Sequence, residues 1–345
     1  MGFSYWFDAA KTGQPYPVTL RFTGRRIDVQ GKPHERDRFE VLKTLDPVIP
    51  GSGRVVLTMR VPGLNPGAWQ VTASPVASPL PRAGVKPAAL TSSRRTFLPK
   101  GVATGTTGFA PLVGVLAPGA RLGSWPALVT VGTVIALIVQ AVLAGRAGIP
   151  AGPLLLTSVV ACLAGLVGAK AYYLRTHPGR KMTVTGGMSI QGFVLVAIPA
   201  AALGAWLSGL SVGEVLDVTA PGLLLGMAVG RWGCFFGGCC AGRPTGSRWG
   251  LWSSDRQLGV RRIPVQLLES LMAAAMGVAA LLSVLFAVPR VSGVIFVAAV
   301  AAYTFGRQVL FPLRDIPRTT AHGRTATMVV SGVIAVLAIA TAVIW

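Results

Sequence analysis

Charge is scarce in this 345-residue chain: Asp, Glu, Lys and Arg make up 12% of it, against 52% hydrophobic residues. With a mean hydropathy of +0.61, that scarcity excludes an ordinary soluble globule and makes the bilayer the expected solvent. Acidic residues are rarest among the charged types, 11 against 32 Lys and Arg, for a formal net charge of +21. Beside long apolar runs, anionic phospholipid head groups are the simplest counter-charge, and nucleic acid is set aside as a partner. Cysteine is scarcer still. Cys162 lies alone in an apolar run while Cys234, Cys239 and Cys240 cluster, which excludes a disulfide framework of the secreted kind. The opening "MGFSYWFDAAKTGQPYPV" has no basic start, apolar core and small-residue cleavage site, so membrane targeting is expected to come from later helices.

What the chain does contain changes character near residue 123. Residues 1–123 hold 16 Lys and Arg with 6 Asp and Glu, and residues 124–345 hold 16 with 5, nearly all between apolar runs. In "YPVTLRFT" Val18, Leu20 and Phe22 alternate with polar neighbours, and in "RVVLTMRV" Val55, Leu57, Met59 and Val61 do so. "VPGLNPGAWQVTA" then sets a Pro/Gly turn before Trp69 and Val71, a pattern similar to the last hairpin of immunoglobulin- or fibronectin-like sandwiches. Residues 1–76 are therefore expected to form a soluble β-sandwich-like domain. The Pro-, Ser- and Ala-rich stretch that follows, with the Gly-rich apolar segment after it, makes 77–123 an expected linker and interfacial segment.

From Ser124 onward the apolar runs lengthen to about 20 residues, enough to cross a hydrocarbon core of about 30 Å. Seven are expected: 124–144, 153–174, 188–208, 215–232, 264–287, 291–311 and 325–345. Within lipid every backbone group needs an internal partner, so each run should be helical, and a Gly-rich break must be buried in protein or face a wet cavity. Two such breaks stand out, "GGMSIQG" at 186–192 and "GRWGCFFGGCCAGRPTG" at 230–246.

Arg231 directly follows an apolar run, and Arg307 lies inside the sixth run one turn after Tyr303. A guanidinium can grip phosphate through paired hydrogen bonds, and burying one inside an apolar run is costly unless it has work to do. Arg243, Arg256, Arg261 and Arg262 read instead as interfacial residues that snorkel to the head groups. In "RRIPVQLLES" Gln266 and Glu269 share a helix face, and Glu269 needs a partner, for which an arginine is the obvious candidate. The thiols at 234, 239 and 240 lack paired CxxC spacing and a nearby histidine, so no metal site is expected; small packing residues or a redox pair are the readings left.

These features together resemble the prolipoprotein diacylglyceryl transferase family, seven-helix membrane enzymes that move a diacylglyceryl group from phosphatidylglycerol onto the lipobox cysteine of a prolipoprotein. "GRWGCFFGGCCAGRPT" follows the frame of that family's signature, G-R-x-G-N-F-x-N-x-E-x-x-G-R, without a gap. "VGAKAYYL", "GGMSIQG", "VLDVTAPGLLLGMAVGR", "IPVQLLES" and "YTFGR" agree in order, so the resemblance covers residues 124–345. It implies that Arg231 and Arg307 hold the lipid head group and that Tyr303 and Gly242 belong to the same site. It also exposes departures: Gln191 and Ile263 stand where the family has histidines, the first a proposed general base. Cys234 replaces an asparagine, Cys239 a glutamate and Phe311 a further glutamate. Glutamine cannot take a proton from a thiol near neutral pH.

The candidate catalytic residues are thus Arg231, Arg307 and Gln191, with Tyr303, Gly242, Cys234, Cys239, Glu269 and Gln266 as substrate-binding candidates. No cofactor is expected. The expected partners are phosphatidylglycerol or another anionic phospholipid, a prolipoprotein signal peptide, and a protein partner for residues 1–76. A relative that binds phospholipid without catalysis, or with altered specificity, is the alternative that the missing histidines favour. The orientation is argued both ways: most loop arginines share a side with the N-terminal domain, which places it in the cytoplasm by the positive-inside rule, whereas the resemblance places it outside.

Overall fold

The computed structural model describes residues 2–76, 101–107, 117–177, 187–287, 290–316 and 322–344; of the expected linker and interfacial segment at 77–123, residues 77–100 and 108–116 lie outside them, and 101–107 instead form a strand paired into a sheet. The chain separates into two compact units. One comprises Met1–Ser124, Cys234–Gln266 and Leu313–Ile316; the other comprises Trp125–Gly233, Leu267–Pro312 and Pro317–Trp345.

The first unit is a β sandwich of two antiparallel sheets. Its strands are β1 (Gly2–Asp8), β2 (Tyr16–Arg26), β3 (Arg38–Val48), β4 (Arg54–Arg60), β5 (Gly67–Val76), β6 (Gly101–Thr107), β7 (Leu251–Ser254) and β8 (Leu258–Arg262). One sheet runs β1-β4-β8-β7 and the other β3-β2-β5-β6. The alternation seen in sequence has its cause here: Leu20 and Phe22 on β2, Val55 and Leu57 on β4, and Ala73 on β5 point into one core with Tyr5, Phe7 and Val260. Burial of each large side chain there contributes roughly 1.5–3 kcal/mol before entropy is counted.

β4 is buried along Val55, Val56, Leu57 and Thr58, on both faces, because it sits between β1 and β8 and its outer face is covered too. That cover is aromatic. Trp6 stacks on Trp252 with ring centroids 5.9 Å apart, Arg54 lies 4.9 Å over Trp6, and the Trp252 indole N–H donates to the Arg54 carbonyl at 2.9 Å. Gly259, opposite Val56 in the β4–β8 register, leaves room for the Trp252 ring; an added Cβ would meet both Trp252 and Val56 at 2.6 Å. The sandwich is completed by strands that lie far along the chain, between the fourth and fifth helices.

Among the described residues, the second unit holds the bodies of seven helices long and apolar enough to cross a membrane: α1 (Ser124–Arg146), α2 (Ala151–Thr176), α3 (Ile190–Leu207), α4 (Val212–Gly237), α5 (Val265–Phe286), α6 (Val294–Leu310) and α7 (Gly323–Ile344). These match the seven expected runs. α4 is the central helix: half of its most apolar window is buried, against 11–28% for the others, and its mean hydropathy of 1.5 is the lowest. The least oily helix is the one that gains most from protein neighbours in place of lipid. Its residues join each of the three buried clusters, through Val215 and Val218, then Ala220, then Leu224 and Ala228.

Two contacts fix α4. Gly226 meets Gly132 of α1 so closely that a Cβ on either would collide with the other's carbonyl oxygen, the small-residue packing by which membrane helices approach. The buried Asp217 accepts the backbone N–H groups of Gly293 and Phe296 at 2.7 and 2.9 Å. It thereby satisfies donors at the start of α6, where a negative charge also suits the helix dipole.

Candidate functional site

Within the helical unit, α4, α5 and α6 bring together Arg231, Glu269 and Tyr303. The Arg231 Nε lies 3.2 Å from Glu269 Oε2, with side-chain exposures of 12% and 1%, so this pair is almost wholly withdrawn from solvent. An Arg231 terminal nitrogen donates to the Tyr303 hydroxyl at 3.4 Å, a long bond. Apolar residues close around the group, with Leu224, Ala228 and Ala273 in one buried cluster with Tyr303. Beside Glu269, the Ser270 hydroxyl donates to the Ala228 carbonyl at 2.7 Å, tying α5 to α4 one turn before Arg231.

The requirement that Glu269 find a cationic partner is met by Arg231. Burying either alone would cost several kcal/mol, and pairing offsets that cost only because the geometry is close. Arg307 follows Tyr303 by one turn on α6, on the same face of the helix. Gln191 is exposed in the first turn of α3, and its Oε1 accepts from the Ser189 hydroxyl at 3.3 Å.

The other candidates lie in the sandwich unit. The loop after α4 carries Cys239, Cys240 and Gly242, and Cys234 occupies the last turn of the helix. The Sγ atoms of Cys234, Cys239 and Cys240 all lie within 4.8 Å of one another. Left-handed backbone at Gly238 (φ 63°) and at Cys240 (φ 54°) turns the chain back on itself, and the Cys239 N–H donates to the Cys234 carbonyl at 3.0 Å. The neighbouring Cys234 and Cys240 thiols, and burial after them, push the Cys239 thiol well above its ordinary range. Gln266 donates through Nε2 to the Cys239 carbonyl at 3.1 Å, so it supports the loop backbone. Gly242 has no space for a side chain, since a Cβ would run into the Ile263 carbonyl; its backbone bridges Arg314.

Arg262 departs from the snorkelling expected of it. It is fully buried, with one terminal nitrogen donating to the Gly242 carbonyl at 2.9 Å and to Asp315 at 2.8 Å, and the other to Asp255 at 2.6 Å. The reason is strand geometry: Val260 and Arg262 are two apart on β8, so both point to the same side, and Val260 belongs to the sandwich core. Reading "LGVRR" as a strand rather than as a loop would have found it. Arg243 and Arg256 also bond backbone, through Nε to the Arg314 and Gly237 carbonyls at 3.3 and 3.0 Å.

A family model described as prolipoprotein diacylglyceryl transferase matches residues 115–345. Similar proteins include phosphatidylglycerol–prolipoprotein diacylglyceryl transferases from Thermosynechococcus vestitus, 34% identical over 44% of this chain and 61% of the relative, and Acaryochloris marina, 33% identical over 41% and 54%. A protein called phosphatidylglycerol–prolipoprotein diacylglyceryl transferase 2, from Streptomyces coelicolor, is 37% identical over 41% of this chain and 50% of its own length. The chain therefore spans between half and about three fifths of these relatives' lengths. With seven helices long and apolar enough to cross a membrane among its described residues, and a match over some two thirds of its length, the chain belongs to the prolipoprotein diacylglyceryl transferase family as a multi-pass protein of the plasma membrane.

Proposed function

We propose that this chain transfers the diacylglyceryl group of phosphatidylglycerol to the lipobox cysteine of a prolipoprotein. The observation that carries the reading is the partly buried Arg231, oriented by Glu269 and Tyr303 at 3.2 and 3.4 Å, with Arg307 one turn beyond Tyr303. A guanidinium oriented on one edge by a carboxylate is prepared for a phosphate oxygen before substrate arrives, which lowers the reorganisation needed as charge develops.

In the reaction the acceptor thiolate attacks the glyceryl C3 carbon. A C–S bond forms as the C–O bond to phosphate breaks, and the electron pair leaves on the phosphate oxygen, giving glycerol 1-phosphate. Arg231 and Arg307 would stabilise the charge arriving on that group, a contribution of about 3–4 kcal/mol per well-placed donor in a dry site. Gln191 offers no base. About a few per cent of a free thiol is already thiolate at neutral pH, its proton passing to solvent, so attack needs no histidine.

A second reading, phospholipid binding without transfer and with residues 1–76 as a partner module, is favoured by one observation: Gln191, the replacement for the family histidine, is exposed and bonded to Ser189. The test is transfer to a lipobox peptide by the purified full chain in phosphatidylglycerol micelles, read by mass spectrometry. Arg231→Ala and Arg307→Ala should each lower the rate about 100- to 1,000-fold. If the unaltered chain and both variants give the same background, transfer is excluded, and phosphatidylglycerol binding that survives in the unaltered chain selects the second reading.

A further inference from the structure

We infer that Cys234, Cys239 and Cys240 form a three-sulfur site for a soft d10 cation, copper(I) or zinc(II), separate from the transfer reaction proposed above. The three sulfurs converge within 4.8 Å. Metal–sulfur bonds of about 2.3 Å place sulfurs roughly 3.8–4.0 Å apart around one ion, so the cluster needs only a small contraction to close on a cation. A disulfide explains less, because it would use two of the three thiols and leave the convergence of the third without a reason. Packing explains less still: filling that space needs no sulfur, and three small apolar residues would do it.

The surrounding chain is arranged as a support. Cys234 is held by the last turn of α4, while Cys239 is fixed through its own N–H to Cys234 and through its carbonyl to Gln266 at 3.1 Å. The Arg256 guanidinium bonds the Gly237 carbonyl at 3.0 Å, and the Arg121 guanidinium lies 5.7 Å over Phe236. Each coordinated thiol gives up its proton to solvent, so a three-thiolate complex of copper(I) carries two negative charges and one of zinc(II) carries one. Among the described residues the donor group holds these three sulfurs and no fourth ligand. That set matches three-coordinate copper(I) directly, and zinc(II) with a water in the open position.

The purified full chain, reduced and in detergent, is equilibrated in separate arms with copper(I) and with zinc(II) against a competing chelator, and bound metal is measured after desalting. One equivalent of at least one ion is expected. Cys239→Ser and Cys240→Ser should each weaken that binding at least tenfold, and Cys162→Ser should leave it unchanged. Cobalt(II) replaces zinc(II) as a probe, and a thiolate-to-cobalt charge-transfer band should appear in the unaltered chain and fade in the 239 and 240 variants. The band fades whether a ligand is lost or the variant unfolds, and circular dichroism of each variant separates the two. The inference is overturned if neither ion binds, if the serine variants bind as tightly as the unaltered chain, or if mass mapping finds a Cys234–Cys239 or Cys234–Cys240 disulfide that forms in preference to metal binding.

Discussion

Removing the carboxylate of Glu269 leaves the Arg231 guanidinium in a pocket built for an ion pair. At 3.2 Å the mutual attraction amounts to about 5 kcal/mol for an effective dielectric of about 20. Part of this offsets the desolvation of both groups, and since neither side chain is more than 12% exposed, solvent screening takes little further. Glu269→Ala should therefore cost about 3–5 kcal/mol of stability, the range for breaking a buried pair from one side. Glu269→Gln keeps the shape and one acceptor, and should cost less. Arg231→Ala combined with Glu269→Ala should cost well under the sum of the two, with a coupling of about 2–3 kcal/mol. Reversible unfolding in mixed micelles, followed by tryptophan fluorescence, measures each corner of the cycle. Additivity within about 0.5 kcal/mol would show that the pair does not hold α4 against α5, and the orienting role given to Glu269 would fail with it.

Three further outcomes follow from other contacts. Gly226→Leu should destabilise the helical unit by about 1–3 kcal/mol or more, because α1 and α4 must part to admit any side chain; unfolding in the same micelles checks it. Arg262→Met should cost about 1–3 kcal/mol, chiefly through the Gly242 carbonyl left without its donor, since Asp315 and Asp255 are 49% and 32% exposed and can turn to water; protease sensitivity of the loop after α4 reports it. The Asp37 carboxyl is held below the usual carboxylate range, first by the Asn65 amide at 2.9 Å and then by the His34 N–H at 2.8 Å. The unfolded chain then binds the extra proton, so this contribution is complete above a pH of about 4 and lost as pH falls through the lower folded value. Asp37→Asn should flatten that acid limb, and an unchanged limb in pH-dependent unfolding of the full chain would assign it to other carboxylates.

How far the sequence reaches is plain from particular residues. Seven runs of suitable length were readable as helices because hydrocarbon leaves the backbone no other way to satisfy its donors, and the described helices follow those runs within a few residues. Alternation in "YPVTLRFT" and "RVVLTMRV" pointed to strands with one face buried, and Leu20, Phe22, Val55 and Leu57 are in the core. Glu269 announced a need for a cation by its place in an apolar run. Its own surroundings could not say which arginine would answer it; the packing of α4 on α5 puts Arg231 at 3.2 Å.

The sequence by itself determined the class of protein and the length and number of its spans, since both depend on local hydrophobicity and on a solvent of known thickness. Tertiary structure alone decided which distant segments meet. β8 enters a sheet with β4 roughly 200 positions earlier in the chain, Arg262 is buried because that strand faces the sandwich core, and three thiols converge because two left-handed residues fold the loop back. Such meetings depend on register and close approach between segments remote in sequence, and no local pattern of hydrophobicity encodes them.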